Sequence, residues 1–402
     1  MSDDTPAADR SGRSAGPLAG ITVLEIGVFM AGPFATMQLA DLGARVIKIE
    51  SPGTGDQTRV VGPHIAGESS AFMRLNRNKE SVELDLKSEE GRQHLRRLLA
   101  RADVLVENLR PGALKKMGLG YDDLKTEFPH LVYASASGWG QDGPLAPNPG
   151  LDIMAQARSG LMSITGFPDM PPAKVGVPVC DLSTALYLAL AVLAAIHERG
   201  RSGQGQFIDV SLFESGVSFA VWEAGAYFAN GAVGTPQGSA HQASAPYQAV
   251  RAADGYVTIG ANTQGNWARL CRALGLGSLI EDERFATPAA RMTHRDELIA
   301  LIEDAFASRS VSDVVSLLDE AGVPVAPIND YGQVFTDPHL RERDFFWDAP
   351  HPRAGRVEQI GSPMRFSRTP AVRGQAGPVL GADTERVLAE LADEAAREGS
   401  AP

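Results

Sequence analysis

Cysteine is nearly absent, with Cys180 and Cys271 the only two in 402 residues. That excludes a disulfide framework and a thiolate zinc site, and it suits a reducing compartment, so a cytoplasmic location is expected. Basic charge is in deficit. Lys and Arg number 37 against 49 Asp and Glu, a net charge of −12. No general basic face is available for phosphate backbones, so no nucleic-acid partner is expected. The 8 histidines form neither HxH nor HxxxH spacings, so no metal site is expected. No apolar run reaches the roughly 20 residues that cross a bilayer. The longest, Leu182–Ile196, contains Ser183, Thr184 and Tyr187 and reads as a buried helix, which leaves no membrane partner. Residues 1–16 lack the apolar core of a signal peptide and read as a polar, disordered tail. Internal repeats and low-complexity blocks are absent as well.

What remains is a chain of ordinary globular composition, 44% hydrophobic and 21% charged. Ile21–Ile26 is a short apolar run, followed by Gly27-Val28-Phe29-Met30-Ala31-Gly32-Pro33. Pro33 suits the first turn of a helix and Gly43 its C-terminal stop, and Ala44–Glu50 is the next strand. The alternation continues through Ser81–Leu86, a helix opening at Ser88, Asp103–Asn108, and Leu131–Ser137. It predicts an α/β fold with a mostly parallel sheet covered on both faces. Helices are expected over Leu151–Thr165 and Leu182–Arg199, then a strand at Gln206–Val210. The pattern then changes. Tyr247–Ala252 and Tyr256–Ala261, joined by Ala253-Asp254-Gly255, read as a hairpin, and three helices follow between 263 and 321. The expected organisation is a large N-terminal domain over 17–225, a linker at 226–246 and a small α+β domain at 247–330. A C-terminal segment, 331–402, ends in an amphipathic helix near 383–396.

Several groups carry candidate chemistry. Gly27 and Gly32 form only GxxxxG, short of a dinucleotide fingerprint. The loop serves either as a tight turn for close helix packing or as a ligand contact at a helix N-terminus. Asp181 stands between an apolar segment and an apolar helix. It suits the N-cap of that helix, or a partly desolvated carboxylate nucleophile with helix N–H groups near a developing oxyanion. Lys79, Lys87, Arg110 and Lys116 follow strands or open helices, and in an acidic chain they point to a local phosphate pocket. His241, in the loop between the two globular parts, is a candidate ligand contact.

At this point the residues resemble the class III CoA-transferase (CaiB/BaiF) family. The resemblance runs from about Leu18 to about Ala389. It rests on LAGITVLEIGVFMAGPFATMQLADLGARVIKIESPGTGD, LNRNKESVELDLKSEEG, DVLVENLRPGALKKMGLGYDDL, SASGWGQDGP, CDLSTALYLALAVLAAIHERGRSGQGQFIDVSLFES, PYQAVRAADGYVTIGA and GVPVAPIND. It implies a Rossmann-like large domain, a small α+β domain and a homodimer of interlocked chains. The family nucleophile precedes the long Ala/Leu-rich helix, which is the place of Asp181. Coenzyme A contacts implied by the family fall on Met30 and Ala31, on Leu84, Asp85, Leu86 and Lys87, on Asn108, Leu109 and Arg110, and on Lys116. Leu151 and Asp152 fall beside the thioester. A family position that is often Arg is Ser51 here, leaving more of the phosphate binding to Lys87, Arg110 and Lys116.

The implied reaction moves CoA from an acyl-CoA to a carboxylic acid through aspartyl anhydride and aspartyl-CoA intermediates. The thioester is a substrate, and no permanently bound cofactor is implied. The linker Gly238–Tyr247 lacks the multi-glycine run of formyl-CoA:oxalate transferases and resembles the branch that uses succinyl-CoA with dicarboxylates. His241 and Gln242 are then candidate acceptor contacts, with His241 placed to read a distal carboxylate. Two rivals stand against this. A 2-methylacyl-CoA racemase would need acid/base groups where this chain has Leu151 and Thr263. A non-catalytic CoA-binding dimer would have no use for Asp181.

Overall fold

The computed structural model describes residues 16–398, so the tail expected at 1–16 lies outside the described residues apart from Gly16. The chain divides into two compact units. The larger comprises residues up to 161, 175–225 and 339 onward, and the smaller comprises 162–174 and 226–338.

The larger unit is built on six strands. They are β1 (Thr22–Ile26), β2 (Arg45–Glu50), β3 (Lys79–Glu83), β4 (Val104–Glu107), β5 (Val132–Ser137) and β6 (Phe207–Ser211). All pair in parallel in the order β3-β2-β1-β4-β5-β6. This is the doubly wound Rossmann order, and the order reverses between β1 and β4, where such sheets open a crevice for ligands. Both faces are buried, so neighbouring residues on a strand enter different cores. Val23, Val46, Val104 and Ala134 pack with Ala35 and Leu39 of helix α1 (Ala31–Asp41). Leu24, Ile47, Val82 and Leu105 face Leu95 and Leu98 of a helix over Glu89–Leu99, and Val387 and Leu391 of the C-terminal helix Thr384–Glu398.

Three further helices shape the site. Helix α2 (Ser70–Leu75) is short, and Ser69 caps it. The expected helix over Leu151–Thr165 breaks at Gly160, whose φ is +89°, into α3 (Asp152–Arg158) and a turn over Leu161–Ile164. Helix α4 (Val179–Ser202) has 24 residues, longer at both ends than expected. Its length and mean hydropathy of 2.1 would let it cross a bilayer, yet it packs on α1, β5 and β6. The C-terminal part of the larger unit adds a hairpin, Phe346–His351 with Gly355–Ile360, that the sequence reading does not anticipate.

The smaller unit has an antiparallel sheet in which Tyr256–Gly260 pairs with Tyr247–Arg251 and with Val325–Pro327. Helices over Gln264–Ala273, Arg295–Phe306 and Val311–Glu320 cover it around Trp267, Phe285 and Phe306. Thr263 accepts the amide of Asn266 and caps the first of these helices.

Candidate active site

Asp181 is not a cap. It sits inside the first turn of α4, behind Pro178 at the N-cap position, and Pro178 brings no side-chain bond. The capping is done from a distance by Asp152, the first residue of α3. Its Oδ1 accepts the Cys180 amide at 2.9 Å and the Asp181 amide at 3.3 Å, while Oδ2 takes Gln156 Nε2 at 2.6 Å. Val179 N–H goes to Val177 O, and Leu182 N–H to Pro178 O. The first-turn amides of α4 are therefore all engaged, which removes the helix N-terminus as an oxyanion hole. Its positive end is instead balanced by Asp152. The Asp181 carboxylate itself bonds to no described residue. Burial, and then the negative charge of Asp152, push its pKa up from 3.8 to about 7. A partly desolvated, uncommitted carboxylate poised near neutral pH suits a nucleophile. The adjacent Cys180 thiol is buried and raised to about 11, so it is inert.

The loop after β1 is held from two sides. Asn108, just past β4, accepts the Val28 amide at 2.9 Å and donates to the Val28 carbonyl at 2.9 Å. A Cβ at Gly27 or at Gly32 would lie 3.0 Å from Asn108 Oδ1. The two glycines thus serve the approach of Asn108, which is the packing role expected of the GxxxxG pattern. Phe29 follows with φ +57°, a strained value for a bulky residue, and its amide donates to Asp56 Oδ1 at 3.2 Å. Asp56 is anchored in turn by Lys48, whose Nζ lies 2.9 Å from Oδ2. The same Nζ bonds to Glu25 Oε1 at 2.6 Å and Gly27 O at 2.8 Å.

The rest of that buried network explains Lys79. Its Nζ meets Glu25 Oε2, Pro33 O and Asn76 Oδ1 at 2.8–2.9 Å, and its side chain is 0% exposed. Lys79 opens β3 instead of following it, so it is no phosphate ligand. Burial opposes ionisation of Glu25, but Lys48 and Lys79 outweigh it and hold that carboxyl at about 2.

Because β3 ends at Glu83, Leu84–Lys87 form the turn at its C-terminal end. A cavity of about 180 Å³ there brings together Leu84, Asp85, Leu86, Lys87 and Leu109 with Gly27, Val28 and Ser51. Lys87, Arg110 and Lys116 are exposed and form no ion pair among the described residues. Met117, next to Lys116, lines the cavity, as does Leu109, next to Arg110. Met30 instead lines a second cavity, with Leu182. Ala31 is buried and Leu151 is exposed. His241 and Gln242 belong to the smaller unit, where His241 Nδ1 accepts the Ala243 amide and the ring meets Tyr247 edge-on.

Sequence reading missed Lys48, Asp56 and Glu107. Glu107 ends β4, takes the Leu109 amide at 2.8 Å and a hydrogen bond from Ser135, and burial raises it to about 7. A charged residue inside a strand that otherwise reads VLV was the only available signal.

A Rossmann-like sheet with a cavity at its strand ends is the frame of an enzyme that handles a nucleotide-bearing substrate, and the comparisons give the class, a CoA-transferase. The model of CoA-transferase family III matches residues 18–384, and the chain belongs to that family. It is 38% identical to human succinyl-CoA:glutarate CoA-transferase over 93% of this chain and 86% of that protein. It is 38% identical to the succinate–glutarate CoA-transferase of Agrobacterium fabrum, over 93% and 96%. A CaiB/BaiF family protein from Brucella suis superimposes with a TM-score of 0.85 at 39% identity, over 94% of this chain and 100% of that one.

Proposed function

We propose that the protein transfers CoA from succinyl-CoA to a dicarboxylic acid through covalent intermediates on Asp181. The observation that carries this reading is the Asp181 carboxylate, half-buried, bonded to no described residue and raised to about 7. Relatives named for succinyl-CoA and glutarate, mesaconate or citramalate support the substrate class.

An Asp181 oxygen attacks the thioester carbonyl, the C–S bond breaks, and CoA thiolate leaves a mixed anhydride. The thiolate then attacks the aspartyl carbonyl and expels the donor carboxylate, which leaves aspartyl-CoA. The acceptor carboxylate attacks that thioester and releases the thiolate again. The thiolate finally takes the acceptor acyl group from the new anhydride and frees Asp181. No proton is gained or lost, and each step is an acyl transfer between activated groups. The loop at Val28–Ala31, the turn at Leu84–Lys87 and Asn108–Arg110 cradle CoA, with Lys87, Arg110 and Lys116 on its phosphates. Leu151 and Asp152 flank the thioester, and His241 and Gln242 contact the acceptor. The enzyme is cytoplasmic and a homodimer. Leu186, Tyr187 and Leu190 on α4 and Trp222 beyond it are 40–68% exposed, apolar surface that suits a second chain.

Incubation with succinyl-CoA and then hydroxylamine converts Asp181 to a hydroxamate, read by peptide mass spectrometry. Asp181→Ala is neither labelled nor active. Wild-type turnover in that variant overturns the mechanism.

A further inference from the structure

The second cavity, of about 370 Å³, is within the range of small-ligand pockets. One wall is the start of α1, where Met30, Phe34, Met37 and Gln38 share a face. From Met30 to Gln38 that wall runs about 12 Å at 1.5 Å per residue. The facing wall is α2, with Ala71, Arg74 and Leu75 turned inward. Leu182 of α4, the residue after Asp181, also lines it.

The lining is mostly apolar, which makes its two arginines conspicuous. Arg77 is neutralised by Asp41, with Nη2 2.6 Å from Oδ2. Arg74 is not. Its Nη1 donates to Ser70 O at 2.9 Å and Ser70 Oγ at 2.6 Å, within its own helix. Its Nε and Nη2 bond to no described residue, and among the described residues no carboxylate lies within ion-pair distance. Glu358 faces it from farther off. Burial lowers the pKa of this guanidinium, so the cavity holds an incompletely compensated positive charge. The free edge of an arginine, Nε with Nη2, matches a carboxylate in two parallel hydrogen bonds. Gln38 adds a second polar group to the same cavity.

We propose that this cavity receives the carbon chain of the substrate acid and that Arg74 binds its distal carboxylate. The proposal rests on Asp181 as the nucleophile. With one carboxyl at Asp181, a chain passing Leu182 along the apolar wall brings its far end toward Arg74. A monocarboxylate fills the same wall but leaves the guanidinium without an anion, so the dicarboxylate is preferred.

The test compares glutarate with its monoamide as acceptors, at fixed succinyl-CoA. In a double-displacement exchange, kcat/KM for the acceptor does not depend on the donor half-reaction, so the ratio of the two values isolates the far carboxylate. Wild type favours glutarate by roughly ten- to a hundredfold, the range of a charge-assisted pair. Arg74→Gln brings the ratio near one, and Arg74→Lys restores part of it. The proposal is overturned by a wild-type ratio near one, by equal losses on both acceptors in Arg74→Gln, or by a ratio that collapses in His241→Ala and survives in Arg74→Gln. The wild-type ratio decides even if a variant fails to fold. Failure of the transferase reading shows separately, as no CoA exchange with any acceptor and no label on Asp181.

Discussion

Asp152 holds its carboxylate against the N-terminus of α4, and the charge it brings there falls on Asp181. Replacing Asp152 with Asn keeps an oxygen for the Cys180 and Asp181 amides and removes the charge. The total rise at Asp181, from 3.8 to about 7, corresponds to roughly 4 kcal/mol at 1.36 kcal/mol per unit. Burial is the larger cause and stays in the variant. Two unit charges about 5 Å apart at an effective dielectric between 20 and 80 interact by roughly 1–3 kcal/mol. A fall of about one unit is therefore the reasonable expectation. As the proposed nucleophile Asp181 must be ionised to attack, so the acid limb of kcat/KM for acyl-CoA is expected near 7 in the wild type and about one unit lower in Asp152→Asn. At pH 6 the ionised fraction rises about fivefold, while at pH 8 it barely changes. The assay is a pH profile with succinyl-CoA, and the readout is the ratio of variant to wild type across pH. A CoA phosphate also titrates near pH 6, but as a property of the free substrate it does not move with the variant. An acid limb that stays put in Asp152→Asn, or moves upward, refutes the argument.

The remaining predictions use the same structure. Asp181 binds its proton more tightly folded than unfolded, so its charge lowers stability in full above pH 7, and this effect fades as pH falls toward 4. Asp181→Asn should thus melt higher than wild type at pH 8, by up to about 4 kcal/mol before solvent screening, and lose that advantage near pH 4; a lower melting temperature at pH 8 contradicts this. Asn108→Ala removes both bonds to Val28 and should raise KM for acyl-CoA by roughly five- to a hundredfold with a smaller change in kcat; an unchanged KM would show that the loop holds itself. Replacing Arg110 or Lys116 with Ala should raise KM for acyl-CoA and flatten its salt dependence; wild-type behaviour in both, and in Lys87→Ala, would mean that the phosphates bind elsewhere. Glu25→Gln leaves Lys48 and Lys79 buried without their shared counter-charge and should lose about 3–5 kcal/mol, a fall of roughly 10 °C by calorimetry; a fall under about 2 °C would show that Asp56 compensates.

What could be read from sequence follows from which contacts are local. The sheet was legible because strands buried on both faces read as short apolar runs separated by capped helices, as in TVLEI and RVIKIE. The helix opening at Ser88 was legible because its cap is local: Ser88 accepts the Gly91 amide three residues on. Asp181 was singled out for a sound reason, an acid between apolar segments. Its capping role was misjudged because the true acceptor, Asp152, lies in another helix and reaches α4 through space. Lys79 failed differently. Strand β3 begins two residues earlier than the apolar pattern suggests, so a cation read with those that follow strands or open helices is instead the strand's first, wholly buried residue. Nothing in spacing pairs it with Glu25 on a strand two places across the sheet. Arg74 was invisible because α2, at six residues, is too short to show a helical period. Its significance comes from what the fold leaves around it, an apolar cavity that Leu182 also lines and, among the described residues, no carboxylate within ion-pair distance. Charge in this protein is therefore of two kinds. Charges that build the loop after β1 are matched atom by atom, as Glu25 is by Lys48 and Lys79, and their loss is expected in stability. Asp181 and Arg74 form no ion pair among the described residues, and their loss is expected in turnover and substrate choice.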